Sequence, residues 1–479
     1  MWTIILEQMG LVLPRDNKAL LQMTHVCQAW RWIFTSQPRL WTYLTCANKE
    51  MTRTYLQRSK SCPLRVVLNI PDPWVHTASS ILDPWGPSVP WDGWHNTSST
   101  VLSSVLPDIV PRLGSLAVSG FLSDVQDIVE RPCMSLPAPL LEDLSLDVRV
   151  SDVTWASWGP GAPLNPGLFN ADLPRLRSLS LANIDTYLPW RKMAHLTSLR
   201  LSSTAPKDLT ISHLLDFLES APNLQTVRLH HALPTASTED DRVVELSQLK
   251  SLKIIGKVGS SVLLNCLKIP SGAKLKISAS EVGSVVEELL PTSLQNLGNT
   301  SKITAIRLVA TAKATSIRCD GPSGTLDVHV TSVEAHWTRW MLDYVLALNT
   351  SGVQLLEVTT DPSVPERNPE PLSDELVLRA LAGMVDLRTL GLASCEYRET
   401  FLRVLGVRHD EAAVCPRLDE LVLGSAFEAL PQLLATAETR VLHGAQLGTV
   451  KLREVEDWAR EDATSLERLR NYVVSLVNM

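Results

Sequence analysis

The chain has 479 residues, 45 % of them hydrophobic and 20 % charged, a composition that excludes a disordered polymer and gives length for about two to four domains. Thirty prolines stand against six phenylalanines and six tyrosines, so the core has to be built mainly from Leu, Val, Ile and Ala. The formal charge of −7 is unevenly spread: residues 1–65 hold nine Lys/Arg and three acids, leaving −13 for the rest, so the two parts face different electrostatic partners.

Met1 to Met9 reads as the end of an amphipathic helix, Leu11-Val-Leu-Pro14 as a break, and Asp16 or Asn17 as the cap of the next helix. Met23, Val26, Cys27, Trp30 and Phe34 recur at three- and four-residue steps, which predicts one helix carrying them on one face until Pro38 stops it. A module of about 45 residues cannot bury so many large apolar groups internally, so part of that stripe should meet the rest of the chain or a partner. The apolar start contains Glu7 and has no basic flank or small-residue cleavage site, which argues against a secretory signal. No apolar run approaches the roughly 20 residues of a membrane span. The eight cysteines are scattered without metal-ligand spacing, which predicts reduced thiols in a protein of the cytoplasm, the nucleus or both. The sequons at Asn96, Asn299 and Asn349 then read as chance matches.

The order of residues in this module resembles the F-box, and especially the F-box-like module that opens many fungal proteins. Trp2-Thr-Ile-Ile-Leu6 matches the tail of its first helix, Val26-Cys27-Gln-Ala-Trp30-Arg-Trp-Ile33 its hallmark helix, and Thr35-Ser-Gln-Pro-Arg-Leu-Trp41 the exit. Tyr55-Leu-Gln-Arg-Ser59 and Cys62-Pro-Leu look like the segment joining module to body in those relatives. The resemblance implies a three-helix module that binds a Skp-type adaptor, and through it a cullin–RING ubiquitin ligase, while the body chooses the substrate. Carried over by position, Leu6, Val26, Cys27, Trp30 and Ile33 form or support the adaptor-facing surface. The Leu-Pro-x-Glu that begins the family motif is absent, Met1 standing about where the following residue falls. Either a short start or a weakened adaptor contact accounts for this. Family membership without ligase activity, the helices serving only as an N-terminal cap, is the alternative.

Residues 71–100 mix Pro, Gly, Ser and Trp without a period and read as a long loop. Beyond them an apolar-x-x-apolar-x-apolar pattern returns nine times, at Leu113, Leu141, Leu176, Leu196, Leu224, Leu249, Ile303, Leu387 and Leu418. The spacing of successive starts falls in the leucine-rich-repeat range with irregular insertions. Each unit supplies a short strand whose leucines only neighbouring units can cover. Ile211–Ser220, Ser280–Leu290, Trp337–Leu348 and Asp374–Met384 read as intervening helices, Asp361–Pro371 as a surface loop, and Trp458–Met479 as a closing helix. The expected fold is α/β: residues 1–45 as the helical module, 46–70 as a connection, 71–100 as a loop, 101–455 as an irregular leucine-rich-repeat solenoid with parallel strands on its concave face, and 456–479 as a helical cap.

Side chains alternate along a strand, so the residue between the last two apolar positions projects outward. In consecutive units that position gives Arg200, Arg228, Lys253, Lys276 and Arg307, a basic ladder suited to an acidic or phosphorylated segment of a substrate protein. The acidic body and the lack of interleaved aromatics argue against nucleic acid. None of G-x-x-x-x-G-K-[ST], G-x-G-x-x-G, G-x-S-x-G or H-E-x-x-H occurs. Gly321-Pro-Ser-Gly324 reads as a turn, and His230-His231 with Glu239-Asp-Asp241 as solvated loop polarity. No enzyme activity, cofactor or metal is expected.

Overall fold

In a computed structural model, the described residues are 17–45, 49–70, 104–149, 162–163, 168–171, 173–185, 193–203, 210–233, 242–256, 259–280, 289–291, 294–311, 314–331, 337–360, 372–409, 412–424, 429–452 and 463–478. The sequence readings of residues 1–9, 71–100, most of 280–290, and 361–371 lie outside them. The chain divides into two compact units, 1–236 and 237–479. Each unit is α/β and carries a large, mostly parallel sheet.

Among the described residues, the first unit opens on two helices, α1 (Asn17–Thr24) and α2 (Gln28–Ser36), where the periodicity predicts one. The chain breaks because Thr24 bonds its hydroxyl back to Leu21 O at 2.7 Å and Cys27 adopts extended backbone, its sulfur accepting from the Trp30 amide at 3.5 Å as an N-cap. The expected connection is itself part of the sheet. It supplies helix α3 (Lys49–Ser59) and β2 (Leu64–Asn69), which pairs with β1 (Tyr43–Leu44) at the end of the segment expected to be the helical module. Next come β3 (Leu113–Gly120), α4 (Leu122–Val129), β4 (Asp143–Val148), β5 (Ser178–Ala182), β6 (Ser198–Ser202), α5 (Ile211–Ser220) and β7 (Thr226–His230). The seven strands pair in chain order, every pair parallel.

The register stacks like on like. Val66, Leu116, Leu144, Leu179, Leu199 and Val227 form one buried row and Leu68, Val118, Leu146, Leu181, Leu201 and Leu229 the next. Each such side chain withdrawn from water contributes about 1.5–3 kcal/mol. A recurrent turn delivers each strand. The amides of Leu141, Leu176 and Leu224 donate to Ala138, Leu173 and Ala221 at 3.1, 3.2 and 3.2 Å, with proline second in each turn, where its fixed φ fits. The carbonyl ahead of one strand then accepts two amides from the next turn: Arg177 O takes Thr197 and Ser198 at 2.8 and 2.9 Å, and Thr197 O takes Gln225 and Thr226 at 2.8 and 3.0 Å. Backbone groups that a loop would leave bare are thereby satisfied.

The second unit contains β8 (Ser251–Gly256), α6 (Ser260–Asn265), β9 (Lys274–Ser280), β10 (Ala305–Ala310), β11 (Ala314–Gly321), β12 (Gly324–Thr331), α7 (Trp337–Ala347), β13 (Leu355–Thr360), α8 (Asp374–Ala382), β14 (Thr389–Ser394), α9 (Arg398–Leu405), β15 (Glu420–Leu423), α10 (Leu430–Leu442), β16 (Leu447–Leu452), α11 (Ala463–Arg470) and β17 (Val473–Asn478). The strand order is β8-β9-β12-β11-β10-β13-β14-β15-β16-β17. A three-stranded meander, β10 to β12, is thus inserted backwards, and β11 alone runs antiparallel to its neighbours. Helices α7 to α11 pack each against the next, burying faces such as Phe401, Leu402, Val404 and Leu405 of α9. The expected C-terminal helix is corrected: of its described residues 463–470 are helical, and Val473–Asn478, dense in β-branched valine, pairs with β16 as a strand.

Candidate interaction surfaces

Two surfaces follow from the sequence reading, one on the N-terminal helices and one on the outward face of the strands. On the helices, Phe34 is buried and Trp41 fully so, the Trp41 indole donating to Phe34 O at 2.9 Å and meeting Tyr55 edge-on at 4.9 Å. Arg58 lies 4.2 Å over the Trp41 ring. Arg112 reaches the end of α3, donating to Ser59 Oγ at 2.8 Å and Cys62 O at 3.1 Å, where a cation also suits the helix dipole. Burial lowers the pKa of its guanidinium, and Cys62 partly opposes this. These contacts dock α2 onto α3 and the strand edge.

They leave other large groups of this segment in water: Trp30, its ring 5.7 Å from that of Phe34, Trp32 on the opposite side of α2, and Val26 in the turn before the helix. Val26, Trp30 and Trp32 are 63 %, 40 % and 72 % exposed. Of the residues expected to face an adaptor, Val26, Cys27 and Trp30 are exposed together, Ile33 is half-buried, and Leu6 lies outside the described residues. Trp32 escaped the sequence reading. Two residues apart on a helix point to opposite sides, so Trp32 cannot share the face of Phe34, and that spacing was a usable signal.

On the strands, all nine pattern matches are buried at their apolar positions; of the residues between the last two, Arg200 and Arg228 are exposed and Lys253 and Arg307 half-buried, whereas Gly391 is buried beside Glu357. Arg200 and Arg228 are register partners on β6 and β7, both exposed. Lys253 and Lys276 are register partners on β8 and β9. The ladder then fails. Asp327 of β12, not Arg307, stands beside Lys276, and Arg318 of β11 follows, so Arg307 comes three strands after Lys276. Lys276 pairs with Asp327 at 3.1 Å, while Arg307 reaches Asp320 at 2.6 Å and Glu357 at 3.3 Å, and Arg318 shares Asp320 at 3.0 Å. Lys276 and Arg307, expected as neighbours, are separated by the inserted meander, and these two of the five cations are neutralised internally.

Other sequence candidates resolve plainly. The Pro322-Ser323 turn joins β11 to β12 as expected, Gly321 facing Gly324. Asn299 is 2 % exposed and donates to Thr325 O at 3.0 Å, so the folded chain presents no acceptor there, whereas Asn349 is exposed and Asn96 lies outside the described residues. The His230 and His231 rings meet edge-on at 4.7 Å, but the acids 239–241 lie outside the described residues. Among the described residues, no group of three or more His, Cys, Asp or Glu converges, all seven cysteines are free thiols, and no helix is long and apolar enough to cross a membrane. Comparison with models of known protein families finds no match, and comparison with curated proteins finds none.

Proposed function

We propose that the chain is the substrate-recognition adaptor of a Skp–cullin–F-box type ubiquitin ligase, its N-terminal helices binding a Skp-type adaptor and its strands, arranged as an irregular leucine-rich-repeat solenoid, holding the substrate protein. The observation that carries the reading is the division of labour on α2. Docking uses Phe34 and, beyond the helix, Trp41, while Val26, Trp30 and Trp32 remain outward. Large aromatic groups kept in water on one helix are what a partner helix or groove requires. Phosphoryl, acyl or redox chemistry has no sequence motif here.

A second reading, a protein-interaction scaffold whose first helices only cap the strands, draws on the packing of Trp41 against Tyr55 beside β1. A cap, however, has no use for exposed Trp30 and Trp32. The test is capture of the full chain on an immobilised Skp-type adaptor, with Trp30→Ala and Trp32→Ser alongside. Capture by wild type and at least about a tenfold loss in both variants, with unchanged thermal midpoints, supports the adaptor. Equal capture of Trp32→Ser, or none of the folded wild type, leaves the scaffold.

A further inference from the structure

We infer that Arg200 and Arg228 form a site for a phosphomonoester dianion, carried by a phosphorylated side chain of a bound protein. Parallel register sets the neighbourhood of this pair. Around them on β5, β6 and β7 the outward positions are Ser178, Ser198 and Thr226 on one side, Ser180 in the same row, and Ala182, Ser202 and His230 on the other. That window holds two guanidinium groups, the hydroxyls of Ser178, Ser180, Ser198 and Thr226, an imidazole and no carboxylate, the Ser202 hydroxyl being buried. By register the nearest acids on this face are Asp143 and Asp147 of β4. They lie two strands from Arg200 and three from Arg228, about 10 and 14 Å at the usual strand spacing and close to or beyond the screening length in physiological salt.

The contrast with the second unit decides the matter. There each outward arginine of the meander meets an acid: Arg307 has Asp320 and Glu357, and Arg318 shares Asp320. Arg200 and Arg228 have no ion pair or side-chain hydrogen bond among the described residues, although they stand on adjacent strands with like charge. One carboxylate balances half of that charge. A tetrahedral dianion balances all of it, takes paired N–H donors from each guanidinium, and has oxygens left for hydroxyl donors such as Ser180. The site itself stands on this geometry; that its occupant is a protein segment rests on the substrate-binding role proposed above.

Thermal unfolding of the full chain in inorganic phosphate, against chloride at equal ionic strength, tests the site. The expected result is a higher midpoint in phosphate that disappears in the Arg200→Gln/Arg228→Gln double variant and persists in Lys49→Gln/Lys302→Gln, which removes the same charge elsewhere. No shift in wild type, or an equal shift in both double variants, overturns the proposal. Retention on immobilised phosphoserine peptides with randomised flanks, about tenfold above the unphosphorylated set, identifies the source, whereas equal retention on a single-stranded oligonucleotide or an anionic vesicle overturns the phosphoprotein assignment. Adaptor capture is scored separately on the same variants, so loss of the adaptor reading leaves the phosphate result readable.

Discussion

Arg440 shows what a single side chain does in this molecule. It is 0 % exposed, and its guanidinium donates to Val414 O at 2.7 Å and Cys415 O at 3.0 Å, tying α10 to the turn that enters β15. Burial lowers its pKa, with the neighbouring Cys415 opposing that shift. Replacement by Met should leave the Val414 carbonyl buried and bare, strip Cys415 O of one of its two donors, the Leu418 amide remaining at 3.1 Å, and lower stability by about 2 kcal/mol, read as a fall in the urea midpoint. Lysine should restore only part, since one ammonium cannot reproduce the planar fork. An arginine flanked by Thr439 and Val441 looks like an ordinary surface residue in the sequence, and nothing local distinguishes it from exposed Arg468. Trp30 and Trp32 are the opposite case. Their spacing on α2 alone says that one of them leaves the buried face, but which of the two stays half-covered depends on where Phe34 docks.

At the scale of elements, the unit that repeats is a turn plus a strand. The turn-forming x-Pro-x-Leu of Ala138–Leu141, Leu173–Leu176, Ala221–Leu224 and Cys415–Leu418 and the alternation that follows are local, so the nine strands and helices such as Ile211–Ser220 were legible in advance. Helix α1–α2 was read as continuous because apolar periodicity does not register a sulfur cap at Cys27 or the hydroxyl back-bond at Thr24. Strands β12, β13 and β16 also carry alternating apolar residues and went unread among irregular spacings. The β11–β12 hairpin offers a clean test of backbone constraint. Gly324 has φ +123° and a Cβ there would run into Ala273 O, whereas Gly272 has φ +90° with open space around it. Gly272→Ala should cost about 1 kcal/mol and Gly324→Ala at least about 2 kcal/mol more, measured as thermal midpoints, because the second adds a clash to the strain.

At the scale of the whole molecule, the two units should differ in their response to alkali. Burial pushes the thiols of Cys319, Cys395 and Cys415 up to about 12 from an ordinary value of 9.0, with Asp320 and Asp327 adding to the effect at Cys319. All three lie in the second unit. Above pH 9 the unfolded thiols ionise while the folded ones stay protonated. The stability that these groups contribute is therefore complete below about pH 9 and falls as pH rises toward 12. Urea unfolding at pH 8 and pH 10 should show the second unit weakening first, and Ala at the three cysteines should remove that difference even though it lowers stability at pH 8.

The sequence by itself determined nine of the strands, which of their apolar side chains are buried, and that cations stand between those positions, because side-chain alternation and turn chemistry act over a few residues. Only the tertiary structure decided which strands are neighbours. The meander enters the sheet in reverse order through pairings between distant residues, so Lys276 meets Asp327 and Arg307 meets Glu357. Of the five cations aligned in the sequence, Lys276 and Arg307 are neutralised in space by acids of neighbouring strands, whereas Arg200 and Arg228 stay side by side without one among the described residues, because charge is balanced across strands rather than along the chain.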